Sequence, residues 1–357
     1  MLDIAAADVL AADPSDMLGA VLRWPEALAE ATREPAPPRI PRPSRVLVVG
    51  LGGSAISGDY AARWADRVGP VPVLVRRGYD VPAWVDSSTL VVAVSYSGGT
   101  EETLSSFVAA RKRGARLVGV GTGGELKRFA ERARAPFVPV RAGLQPRAAM
   151  PHVLARLADV LEAAEVLPGA RDEIEAAIPH LQKLVQDLAA DAPPSRNEAK
   201  RTALALEGTV PAVYAADHLG PVARRFANQL NENAKVVAFH GEMPEMNHNE
   251  LVGWSEDDDL DRLTMVLLRH AAEIPQVQER FEFTAQVVQA RGGRVVQHAM
   301  RGHAPLAEAL AHTILADAVS IYLAAIRRKD PTPVSIIARL KEKVAALGLT
   351  QGLAHAL

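Results

Sequence analysis

The sequence predicts an α/β protein made of two tandem doubly wound domains, each a parallel sheet flanked by helices. Three observations predict it. Short all-apolar runs recur along the chain, amphipathic stretches of helical length separate most of them, and the alternation pauses over 149–190 before it resumes. With 357 residues, 48% of them apolar, the chain can bury a core in each of two domains.

Taken in order, residues 15–33 carry apolar positions at helical spacing, with Ser15 placed to cap the start. The prolines from Pro35 to Pro43 exclude helix and predict an extended linker. A β-branched strand follows in VLVVG after Arg45, then PVLV near 73, LVVAVS near 90, RLVGVG near 116 and PFVPV near 136. Helices are expected between most of them, in SAISGDYAARWADR, GTEETLSSFVAARKRG and ELKRFAERARA. Residues 149–190 carry no strand signal and read as a helical connector. The second half reads as a helix at 196–207, strand TVPAVYAA, helix GPVARRFANQLNENAK and strand VVAF. MVLLRH, a helix over 275–291, RVVQHAM, a helix over 304–327, a break at DPTPV and the helix SIIARLKEKVAAL complete it. The expected division is therefore 1–43 for the first helix and linker, 44–150 and 195–330 for the two domains, 151–194 for the connector and 331–357 for the last helix.

Composition excludes several function classes. Lys and Arg number 40 against 42 Asp and Glu, with no dense basic block, so neither nucleic acid nor a membrane surface is an expected partner. No cysteine is present, which removes disulfides, thiolate nucleophiles and cysteine zinc sites. The first residues are acidic and lack the basic region of a signal peptide. No uninterrupted apolar run approaches the roughly 18 residues of a membrane helix, and a cytoplasmic location is expected.

Four stretches carry candidate chemistry. In VLVVGLGGSAISGD a strand runs through glycines into a helix, offering backbone N–H groups to an anion at the positive helix end. Gly50, Gly52 and Ala55 also satisfy the spacing of a dinucleotide-binding turn, but the second strand ends in Arg76 and Arg77 where that turn wants an acid. Spacing alone leaves phosphate binding, nucleotide binding and a steric turn open. In VVAVSYSGGTEETL, Ser95, Ser97 and Thr100 converge between a strand and a helix without a lysine, which suits a phosphate that is bound but not transferred. Helix capping would need only one hydroxyl. In RRFANQLNENAK, continued helix puts Arg225, Asn228, Glu232 and Lys235 on one face, where Glu232 is either a solvated side chain or a general base. HGEMPEMNHNELVGW brings His240, Glu242, Glu245, His248 and Glu250 close in sequence without paired metal-ligand spacing, so acid–base work or loop capping fits His248 better than metal.

Together these stretches resemble the bifunctional phosphoglucose/phosphomannose isomerase family of the sugar-isomerase (SIS) domain superfamily. DMLGAVLRWPEAL, GLGGSAISGD, SYSGGTEETL, PRAAM, QLNENAKVVAF, PEMNHNELVGW and the ADAVSIYLA…DPTPVSIIARLK ending occur in the family's order and span nearly the whole chain. The resemblance implies two SIS-type domains and reversible interconversion of glucose 6-phosphate or mannose 6-phosphate with fructose 6-phosphate, without metal or nucleotide cofactor. It implies that Gly53, Ser54, Ser95, Ser97 and Thr100 hold the phosphate and that Glu232 shuttles a proton between C1 and C2. Arg147 would stabilise the enediolate. His248 would assist ring opening and be supplied by the partner subunit of a homodimer. Lys341 would complete the site, with Lys343 as the alternative register. Gly99 replaces the family's Asn, and Met150 its Leu; neither removes a catalytic group. A non-catalytic sugar-phosphate sensor is the rival from another class, and it would not need Glu232, Arg147 and His248 together. A glucosamine-phosphate synthase would need an N-terminal cysteine, and a nicotinamide dehydrogenase would give turnover visible near 340 nm.

Overall fold

Apolar β-branched runs become buried parallel strands, and the amphipathic stretches between them become the covering helices. The computed structural model describes residues 4–300 and 304–355. The N-terminal segment forms α1 (Ala6–Ala12), α2 (Met17–Leu22) and α3 (Trp24–Arg33). The first sheet region runs β1 (Arg45–Val49), α4 (Gly52–Val68), β2 (Val73–Arg76), β3 (Thr89–Val94), α5 (Glu101–Lys112), β4 (Arg116–Gly121), α6 (Gly124–Ala133) and β5 (Phe137–Pro139). Helices α7 (Met150–Ala163), α8 (Ala170–Asp187) and α9 (Glu198–Leu206) follow. The second region runs β6 (Val210–Ala216), α10 (Gly220–Gln229), β7 (Phe239–Met243), α11 (Glu250–Glu256), β8 (Leu263–His270), α12 (Pro275–Ala290) and β9 (Arg294–Met300). Helices α13 (Pro305–Ile326), α14 (Ser335–Ala345) and α15 (Leu349–His355) end the chain.

The chain folds as two compact units, each discontinuous in sequence. One comprises Glu26–Ala176 and Val334–Leu357. Its five parallel strands are ordered β2-β1-β3-β4-β5, so the winding reverses between β1 and β3. β3 is buried at every position, and Leu104, Phe107, Leu126 and Phe129 pack a core against its side of the sheet. The other unit comprises Met1–Pro25 and Ala177–Pro333, with four parallel strands ordered β7-β6-β8-β9 and a reversal between β6 and β8. Helix α13 packs against α9, α10, α1 and α2 in this unit. The five-segment division expected from sequence differs from these units. Helix α7 packs on α4 of the first sheet, and the units divide between Ala176 and Ala177 inside α8, so the connector's two ends join different cores.

Several local expectations change. The helix over 15–33 is interrupted at Arg23, and its cap is Asp16, not Ser15: the Asp16 carboxylate accepts the Gly19 N–H at 3.1 Å. The adjacent Asp13 carboxylate accepts the N–H groups of Met17 and Leu18 at 2.9 and 2.8 Å, satisfying first-turn donors that a hydroxyl cap would leave. The strand expected in VVAF instead occupies Phe239–Met243. Finally, α13 is long and apolar enough to cross a membrane, with a mean hydropathy of 1.7, although Glu308, His312 and Asp317 interrupt its apolar run, so no uninterrupted run of that length is present in it. Its apolar window is 94% buried within the protein, where Asp317 is paired with Arg225.

Candidate active site

In an open α/β sheet, ligands sit beyond the carboxyl ends of the strands where the winding reverses, because the two loops there diverge and leave a crevice. For the first sheet this is the gap between the ends of β1 and β3. The glycine turn after β1 and the serine turn after β3 meet there. Gly50 permits close contact: a Cβ would lie 2.8 Å from the Val94 carbonyl oxygen. Gly52 takes φ +53, a left-handed conformation that starts α4.

The hydroxyls of the two turns are tied to nearby backbone and to one another. Tyr96 N–H donates to Ser54 Oγ at 3.3 Å, and Gly99 N–H to Ser97 Oγ at 3.3 Å. Ser95 Oγ accepts from Thr100 N–H at 3.4 Å and donates to Thr100 Oγ1 at 2.9 Å. In these bonds Ser54, Ser97 and Thr100 act as acceptors, which leaves their protons for an incoming acceptor. Ser95 is fully buried and its proton is directed at Thr100. Neither Leu51 before α4 nor Thr100 before α5 makes a side-chain cap bond. Two helix N-termini therefore face this crevice without side-chain caps, and the capping alternative for Thr100 fails.

Arg147 joins the same place. A Cβ on Gly53 would lie 3.8 Å from the Arg147 Cα, and the Tyr96 hydroxyl accepts the Leu144 N–H at 2.9 Å, tying the 141–149 loop to the serine turn. Arg147 is only 5% exposed. Just beyond it, burial holds the His152 imidazole below its usual pKa. Lys341 belongs to the same unit, on α14, a helix with no buried residue; Lys343 is likewise exposed on it. Arg77, whose position in sequence suited a nucleotide phosphate, is paired with Asp59.

Glu232 and His248 belong to the other unit. Glu232 lies not on continued α-helix but on a π-turn, Leu230–Ala234, that ends in left-handed Lys235. The face expected to join Arg225 to Glu232 does not exist, because the wider turn changes the residue spacing. Arg225 is buried, grips Asp317 of α13 through Nε–Oδ1 at 3.0 Å and Nη2–Oδ2 at 2.6 Å, and lies over the Trp24 ring. Asn233 donates to Ser320 Oγ at 2.9 Å, and Lys235 Nζ bonds the Glu232, Pro331 and Pro333 carbonyls. Glu232 is thus half-buried on a turn pinned on both sides. Turns of this kind concentrate at functional sites.

His248 ends a 3-10 turn, Glu245–His248, and is exposed. Its neighbours in sequence serve structure: Tyr214 donates to Glu250 at 2.6 Å and accepts from Trp254 at 3.1 Å, and Asn249 bonds Glu245. Burial and the Glu250 carboxylate push the Tyr214 hydroxyl well above its usual pKa. The metal-type grouping found among the described residues lies elsewhere, at His218, His270 and Glu308. Sequence reasoning missed it because these residues stand far apart in the chain.

A family model for the bacterial phospho-glucose isomerase C-terminal SIS domain matches residues 195–344, and one for the SIS domain matches 40–133. The chain is 35% identical to a bifunctional phosphoglucose/phosphomannose isomerase of Caldicellulosiruptor bescii, over 85% of this chain and 90% of that protein. It belongs to the bifunctional phosphoglucose/phosphomannose isomerase family. A further relative of this family member, D-glucosamine-6-phosphate 4-epimerase of Sulfolobus acidocaldarius, is 32% identical over 69% of this chain and 75% of its own. The fold matches the C-terminal domain of glucosamine-fructose-6-phosphate aminotransferase from Francisella tularensis, with TM-score 0.66, 17% identity and coverage of 89% and 98% of the two chains.

Proposed function

We propose that this chain interconverts glucose 6-phosphate and mannose 6-phosphate with fructose 6-phosphate through a cis-enediolate. The observation that carries this reading is the hydroxyl-lined crevice between β1 and β3, where Ser54, Ser97 and Thr100 face the N-termini of α4 and α5. Three hydroxyl donors and two helix ends suit a phosphate dianion, and no lysine stands among them to promote phosphoryl transfer. Ser95 contributes by fixing Thr100, and Gly53 by letting the backbone approach. The phosphate thereby supplies binding energy remote from the reacting carbons, which positions them.

Glu232 takes the role of base: it removes the C2 proton of the open-chain aldose and returns it to C1, or the reverse for the ketose. A positioned carboxylate performs the same aldose–ketose step in triosephosphate isomerase. Arg147 is the fixed positive charge for the enediolate oxygens, since a guanidinium stays protonated throughout. His248 moves protons at the ring oxygen and O1 during ring opening, and Lys341 adds a second cation. Transfer of a proton between neighbouring carbons requires no redox carrier, so neither nucleotide nor metal is assigned to the chemistry. We assign His248 to the active site of a second copy in a homodimer, at work in the cytoplasm. Its exposure supports this, as do Ile336 and Leu340, 69% and 61% exposed one turn apart on α14.

The test is a coupled assay in which EDTA-treated protein receives fructose 6-phosphate and both aldose products are followed separately. Formation of both is expected. Absence of both, with fructose 6-phosphate still raising the melting temperature, would replace the enzyme reading by a sensor. The epimerase relative supports a second reading, epimerisation of an amino-sugar 6-phosphate at C4. Product NMR with glucosamine 6-phosphate distinguishes the two.

A further inference from the structure

The second sheet has its own reversal point, between the ends of β6 and β8, and side chains of a different chemistry occupy it. His218 follows β6 in the turn Asp217–Leu219, His270 is the last residue of β8, and Glu308 reaches them from the first turn of α13. Each offers a donor atom within 4.8 Å of the other two, and all three residues are buried. The imidazole rings lie 4.4 Å apart between centroids, and His218 Nε2 lies 3.2 Å from Glu308 Oε2. The other oxygen, Oε1, accepts the Ala271 N–H at 3.2 Å, so the carboxylate is held in place.

The protonation pattern at His270 is informative. Its Nε2 lies 3.1 Å from Asp217 Oδ2, and a carboxylate only accepts, so Nε2 carries the hydrogen. That assigns the lone pair to Nδ1, which is buried and has no hydrogen-bond partner. A carboxylate bound to the far nitrogen of an imidazole is the usual support of a metal-ligating histidine, because it fixes the tautomer and raises the ring's basicity.

We propose that the crevice between β6 and β8 is a transition-metal site, with Zn²⁺ held by His218, His270 and Glu308. A buried carboxylate opposes a phosphate here, whereas two imidazoles and one carboxylate form a common three-ligand set for zinc, leaving a fourth position for water. Zinc bonds of about 2.0–2.2 Å place tetrahedral ligand atoms roughly 3.4 Å apart. His218 Nε2 and Glu308 Oε2 already stand 3.2 Å apart, and the metal would take the place of the proton between them while His270 closes on it. These residues are distinct from those assigned to proton transfer and phosphate binding.

The experiment uses the full chain, purified without a histidine tag, loaded with zinc or cobalt and dialysed against metal-free buffer. Elemental analysis is expected to find one equivalent of zinc per chain, and the cobalt form to show the intense visible d–d absorption of a tetrahedral centre. His270→Gln and Glu308→Gln lose both signals, Asp217→Asn weakens affinity by ~10–100-fold, and His240→Gln leaves both intact. Where a variant fails to fold, cobalt titration of the unaltered chain decides. Less than a tenth of an equivalent and no d–d band would overturn the site, as would full metal content in a folded His270→Gln variant. Metal content is read whether or not any sugar phosphate is turned over, so the isomerase reading and this one fail separately.

Discussion

Replacing Asp317 by alanine removes the carboxylate that Arg225 grips through two bonds of 3.0 and 2.6 Å, in a place where the two side chains are 3% and 1% exposed. Water cannot reach the guanidinium to compensate. Removing one partner of such a pair costs about 3–5 kcal/mol, most of it the penalty of a buried charge without its counterion. For a unit of this size 1 kcal/mol moves the melting temperature by roughly 2–4 °C, so Asp317→Ala should melt ~6–20 °C below the parent. Replacing both partners by apolar residues of similar volume, as in Arg225→Met with Asp317→Leu, removes the charge along with its partner and should recover most of the loss. Urea unfolding of the parent, Arg225→Met, Asp317→Leu and the double variant completes a cycle that isolates the coupling. An Asp317→Ala protein within ~1 kcal/mol of the parent would refute the reasoning, because the cost of an isolated buried charge would then be absent. A double variant as unstable as the single one would assign the loss to packing around Trp24 instead.

Three further outcomes are expected. Glu232→Gln keeps the size and loses the base, so kcat should fall by at least ~10²–10⁴ while phosphate-ligand binding is retained; a variant with most of its kcat would remove Glu232 from the mechanism. Ser95→Ala leaves Thr100 without its hydroxyl partner, and should raise KM for the sugar phosphate while hardly altering inhibition by ligands that lack a phosphate. His152 has its pKa lowered by burial, so the unfolded chain takes up its proton first. Its contribution is fully present above pH ~6.5 and is lost as pH falls towards the folded value, by up to ~1.4 kcal/mol per pH unit. Melting temperatures between neutral and mildly acid pH should therefore fall more steeply for the parent than for His152→Gln, and parallel slopes would contradict the burial effect.

The sequence by itself determined most of the strands, because buried parallel strands need apolar runs rich in β-branched residues, and VLVV and LVVAV admit little else. The glycine turn after β1 and the serine turn after β3 were legible too, since each is continuous in the chain and leads into its own helix, whereas their meeting at one crevice depends on the strand order. What it misplaced was set by interactions over long separations. Glu232 lies on a π-turn because Asn233 and Lys235 are anchored to Ser320, Pro331 and Pro333, close to a hundred positions away, and helical periodicity carries no trace of those bonds. Helix α13 was legible as a helix over 304–327, but only its packing against α9, α10, α1 and α2 makes it the core of its unit. His218, His270 and Glu308 show the limit most plainly. No local spacing joins them, and only the parallel order β7-β6-β8-β9 puts the ends of β6 and β8 side by side beneath the first turn of α13. Strand order is fixed by the free energy of the whole packed sheet, which no single stretch of sequence carries.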